Sequence, residues 1–130
     1  MNITDNNGNL IAIYQKGNEI EKEKNFLTDN SEEFQFGTFN LPKGEIIKNH
    51  IHENQERTTR GTSEALVILD GELKVTFFDN KKEFISSIIL EKSDSIVIYS
   101  GGHGLEVIND CKFVEIKQGP YIENKDKTHF

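Results

Sequence analysis

The chain has 130 residues, 35% hydrophobic and 28% charged, with nine Phe, no Trp, one Cys and a formal net charge of −7. That length fits one domain with a modest core, the grouping of apolar residues into short runs argues against disorder, and the negative balance excludes nucleic acid as a natural partner. The apolar runs are far shorter than a membrane span, Met1 to Asp5 lacks the pattern of a secretory leader, and Cys111 has no partner for an intrachain disulfide, so the expectation is a cytoplasmic protein with no membrane partner.

Taken in order, the apolar residues alternate or run in fours to eights between turn residues, which predicts an all-β chain. Residues 1–33 read as an N-terminal hairpin and a charged loop. Ile3 to Asp5 and Leu10 to Tyr14 flank Asn6-Asn7-Gly8-Asn9, a tight-turn sequence. Glu19, Glu21, Lys22, Glu23 and Lys24 follow, a solvated loop or one short helix. The barrel is expected over 34–119. Its first strands are Phe34 to Phe39 and Glu45 to Ile51, separated by the turn Leu41-Pro42-Lys43-Gly44.

His50 and His52 lie at the end of that second strand. Side chains two apart on a strand share a face, so both imidazoles point the same way and can converge on one ion. The polar stretch from Glu53 to Ser63 holds the only two arginines, Arg57 and Arg60, candidates to bind a substrate carboxylate or phosphate. Glu64 to Leu69 and Leu73 to Phe78 then read as a hairpin around Asp70-Gly71. Period two places Glu64, Leu66 and Ile68 on one face, with Glu64 a third candidate metal ligand.

Asp79 to Lys82 turns the chain into Phe84 to Leu90, and Ile96 to Tyr99 reads as a buried strand. Gly101-Gly102-His103-Gly104 is a turn in which the backbone can approach an ion, making His103 the fourth candidate ligand. Leu105 to Ile108 and Phe113 to Lys117 form the last expected hairpin, around Asn109-Asp110. Glu106 and Glu115 are candidate general bases, and Lys117 and Tyr121 candidate acids. Lys117 is also a candidate for substrate binding. Residues 120–130 read as a charged tail across the surface. About ten short strands suit a two-sheet jelly-roll barrel.

The spacing Gly44, five residues, His50-Ile51-His52, then Glu64, six residues, Gly71 resembles the first motif of the cupin superfamily. The gap from Glu53 to Ser63 is longer than usual for that family. Of the second motif Asp94, Gly101 and His103 keep their sense, while Ser93 and Tyr99 replace its Gly and Pro. The likeness covers roughly 34–119, and the ending Lys117-Gln118-Gly119-Pro120-Tyr121 is similar to that of small single-domain cupins of surface-sugar or small-metabolite pathways.

The resemblance implies a double-stranded jelly-roll β-barrel with His50, His52, Glu64 and His103 around one divalent transition metal ion. Three imidazoles and a carboxylate suit Mn, Fe, Co, Ni or Zn. It implies a small oxygen-rich ligand, a sugar derivative or keto acid, handled by an isomerase, epimerase or oxygenase, or else bound without turnover. A homodimer is expected, with Leu10 to Tyr14 pairing across the interface as in proteins this one resembles.

Overall fold

The computed structural model describes residues 1–130 as eight strands and one turn of 3-10 helix, Gly17–Glu19. The strands are β1 (Asn2–Thr4), β2 (Leu10–Gln15), β3 (Lys24–Phe26), β4 (Gly37–Phe39), β5 (Glu64–Phe78), β6 (Phe84–Glu91), β7 (Ser95–Ile98) and β8 (Gly102–Lys117). All pairings are antiparallel. The main sheet runs β1-β2-β7-β5-β6, with β8 added to the other edge of β5, and β3-β4 forms a separate small sheet. The sheets do not close into a barrel. No helix is long and apolar enough to cross a membrane.

The first turn forms as its residues dictate. Asp5 Oδ1 accepts from the backbone N–H of Asn7 and of Asn9, at 2.8 and 2.9 Å, which fixes the loop between β1 and β2. Both edges of β2 are then occupied within its own chain, by β1 and by β7, so no edge remains on Leu10 to Tyr14 for pairing across a dimer. β2 and β7 form the centre, where Ile11, Ala12, Ile13, Ile96, Val97 and Ile98 are all buried. Two faces are covered there, as a continuous β-branched run requires.

Asp94 fastens this centre to the next strand. Its buried carboxylate accepts from Lys16 Nζ at 2.7 Å and from the backbone N–H groups of Gly17 and Glu91 at 3.0 and 2.9 Å. The end of β2 and the β6–β7 turn therefore hang on one charged acceptor.

Neither the Asp70-Gly71 nor the Asn109-Asp110 hairpin forms. Instead β5 and β8 run past these sites as one long antiparallel pair, from Glu64↔Lys117 to Phe78↔Gly102, with the register shifting between Ile68 and Leu73. Gly71 takes φ 81°, and a side chain there would overlap the backbone of Asp110. A turn residue with positive φ serves a bulge as well as a hairpin. The bulge also reverses the alternation, so even-numbered Leu66 and Ile68 and odd-numbered Leu73, Val75 and Phe77 all reach the same core.

The strand expected from Glu45 to Ile51 is absent. The turn before it is present, with Glu45 N–H donating to Pro42 O at 3.2 Å, but residues 40–63 have no ladder partner and connect β4 to β5 almost entirely exposed. Ile46, Ile47 and Ile51 are 80%, 62% and 88% exposed. A segment of alternating apolar residues without a neighbouring strand cannot satisfy its backbone as a sheet.

Candidate functional site

The bend in β5 and β8 makes the site. A straight strand of fifteen residues would hold its ends roughly 46 Å apart. Here the two ends of the ribbon meet: His103, paired with Phe77 at one end, brings Nε2 to 3.6 Å from Oε2 of Glu64 at the other. Residues directly opposite on paired strands share a face. Glu64 with Lys117, and Leu66 with Glu115, therefore place both carboxylates and the ammonium on the concave side, above the core residues Leu66 and Ile68.

These groups line a polar cleft of about 1010 Å³, whose far wall is the tail from Asp126 to Phe130. The Glu64 side chain is only 14% exposed. Burial raises its pKa above the usual carboxylate value, and the negative charge of neighbouring Glu115 raises it further.

Burial likewise lowers the pKa of His103, and the positive charge of Lys127 adds to this against the opposing pull of Glu115. Its imidazole is neutral at pH 7, and its approach to Glu64 is a contact rather than a hydrogen bond at this distance. Lys117 donates to Asp126 Oδ2 at 2.8 Å and lies 4.0 Å from Glu115 Oε1. The hydrogen bond to Asp126 is the main reason its pKa is raised, which keeps it a cation. Two neighbouring carboxyls, an imidazole and an ammonium in one cleft form a set able to accept, hold and return protons.

Of the four candidate metal ligands, Glu64 and His103 are brought together and His50 and His52 are not. The pair stays together, its ring centroids 5.2 Å apart, but in the exposed segment before β5, where His50 Nδ1 lies 2.9 Å from Lys48 O. Without a partner strand their shared face is not turned toward Glu64. Donors 3.6 Å apart can share one ion at about 2.1 Å from each. No group of three or more His, Cys, Asp or Glu side chains is placed to hold a metal ion, however, so the expected donor set is half assembled.

Arg57 and Arg60 lie in the same exposed segment, and Arg57 donates only to Gln55 Oε1, at 3.4 Å. Glu106 faces away from the cleft, opposite Lys74 and ion-paired with it at 3.2 Å, which removes it as a general base at this site. Tyr121 sits under Lys117, its ring centroid 5.4 Å from Nζ.

The tail contributes what period-two reasoning misses. Asp126, Lys127 and His129 line the cleft, so the second histidine of the site comes from the far end of the chain. The one sequence signal was Phe130, an aromatic residue in an otherwise polar run, which packs edge-on against Phe78 at 5.2 Å. Comparison of the chain with family models, with curated proteins and with solved structures gives no match.

Proposed function

We propose that the protein is a cupin-type isomerase or epimerase that moves protons on a small oxygen-rich metabolite, a keto acid or a sugar derivative. The observation that carries this reading is the gathering of Glu64, Glu115, His103 and Lys117 in one polar cleft at the open end of the core. A carboxylate in this cleft can take a proton from a carbon next to a carbonyl and later return it, and burial, which raises the pKa of Glu64, makes that group the better base. As that C–H bond breaks, its electron pair moves to the carbonyl oxygen. The Lys117 ammonium and a neutral His103 N–H are the donors available to the resulting enolate. Return of the proton to the other face of the carbon inverts it; return to the neighbouring carbon isomerises the substrate.

The motif Gly44, His50, His52, Glu64 and Gly71 and the concave antiparallel sheet support the cupin reading, in which residues 40–63 would complete the jelly-roll barrel. Its metal-dependent form, with Mn, Fe, Co, Ni or Zn, needs His50 and His52 at the cleft beside Glu64 and His103. Glu64 comes twelve positions after His52, a tether that reaches up to about 40 Å when extended. A homodimer belongs to the same reading, supported by Leu69, Val114 and Ile116, exposed apolar residues on β5 and β8. The separation of the His pair from Glu64 favours a second reading, a module that binds a small ligand without turnover.

Incubation with keto acids and keto sugars in deuterium oxide separates the two. A proton-transferring enzyme washes deuterium into the position next to the carbonyl, and Glu64→Gln or Glu115→Gln slows this by about 100-fold. Exchange no faster than in buffer for every compound, with one of them bound, establishes the binding module instead.

A further inference from the structure

The tail that closes the cleft is held by very little. From Tyr121 to Phe130 only Asp126 is withdrawn from solvent, its side chain 13% exposed. Three attachments hold the segment across the site: the Tyr121 ring 5.4 Å from Lys117 Nζ at its start, the Asp126 carboxylate on the same Nζ at 2.8 Å, and the Phe130 ring on Phe78 at 5.2 Å, with Lys82 Nζ 5.4 Å from that ring. The Phe130 ring also covers Gly102, beside His103. A segment with so few buried contacts opens at small cost compared with the strands beneath it.

The geometry points to a strap: residues 121–130 close over the cleft, and Asp126 occupies on Lys117 the place that a carboxylate of the ligand takes when the strap is displaced. Lys117 is the only cleft ammonium on the sheet itself, since Lys82 and Lys127 lie in a turn and in the strap. Exchanging one carboxylate for another at Lys117 keeps its charge paired, so the ligand need only outcompete a tethered copy of its own functional group. The ligand class is thereby narrowed to small carboxylic acids, which within the proposed function selects keto acids over neutral sugars. This narrowing rests on reading the cleft as a small-molecule site.

The test uses the full chain and malonate, a plain dicarboxylate, as probe. A competitor docked about nine-tenths of the time weakens apparent affinity about ten-fold. Asp126→Asn is therefore expected to bind malonate about ten-fold more tightly than the unmodified protein, and Asp126→Asn with Lys117→Met to lose that binding. Phe130→Ala, which loosens the strap without changing its charge, shifts affinity the same way. Amide exchange across 121–130 quickens about ten-fold in Asp126→Asn and in the unmodified protein saturated with malonate, while β5 and β8 stay protected and report an intact fold. Malonate affinity unchanged within two-fold by Asp126→Asn, binding indifferent to Lys117, no malonate binding by any form, or a tail whose exchange ignores both changes would each overturn the strap. Deuterium wash-in is a separate readout, so a strap without turnover and turnover without a strap are distinguishable results.

Discussion

Glu64 stands in line with Leu66 and Ile68, on the face of β5 that builds the core, where a third apolar residue would pack without penalty. Burying a carboxyl there is tolerable because its raised pKa eases protonation and the Lys117 cation lies directly opposite across the ladder. Alternation along the two strands made these positions legible: period two alone puts Glu64 above Leu66, and Glu115 on the face of Phe113 and Lys117. Asp126 and His129 had no such periodicity to reveal them. Tyr99 offers a check on burial at this scale. Its hydroxyl donates to Phe34 O at 3.1 Å, and burial, with Glu32 adding to it, raises its pKa from 10.0 to about 12. A raised folded-state pKa contributes stability that is fully present below pH 10 and is lost as pH climbs through about 12. Tyr99→Phe should therefore lose less stability than the unmodified protein over that window in urea titrations, and its ultraviolet titration should lack the highest-pH tyrosine component. Identical pH profiles for the two proteins would show that this hydroxyl is not buried as described.

The β5–β8 ribbon explains why the strands were legible but their connections were not. Asp70-Gly71 and Asn109-Asp110 each have hairpin chemistry, and in isolation either turn would form. They lie across from each other instead, and pairing from Glu64↔Lys117 to Phe78↔Gly102 outweighs two local turns by keeping the apolar sets on both sides of the bulge in one core. Local sequence carries the positive φ that each site needs, while the choice between turn and bulge belongs to partners tens of residues away. The same bend joins His103 to Glu64, so the bulge is a requirement of the site as well as of the sheet. Gly71→Ala must place a Cβ at φ 81° against the Asp110 backbone. We expect it to cost about 2 kcal/mol or more in urea denaturation and to expose Glu64, read as faster amide exchange at the two ends of β5. A midpoint unchanged by this substitution would mean that the ribbon does not bend here.

At the scale of the whole molecule, the sheet buries one core and leaves residues 40–63 outside it, with three exposed isoleucines and the His pair. This region was the least legible: its alternation is strand-like, but a strand exists only where a neighbour accepts its hydrogen bonds, and although β6 and β8 each pair only with β5, these residues take neither outer edge. The exposed state has a definite energetic signature. In it His50 and His52 support nothing else, so His50→Ala with His52→Ala should change stability without metal by under about 0.5 kcal/mol. If the segment closes on Glu64 and His103 around a metal, binding adds stability in proportion to occupancy, about 2.7 kcal/mol at a hundred times Kd. For a domain of this length that raises Tm by roughly 8 °C. Thermal melts with Mn, Fe(II), Co, Ni and Zn should then show that rise for the unmodified chain and lose it in the double variant. A rise retained in the double variant would assign the ion to Glu64 and His103 without the pair. If no metal shifts the unmodified chain, residues 40–63 do not close around an ion, and the proposed proton transfer would rest on Glu64, Glu115, His103 and Lys117 alone.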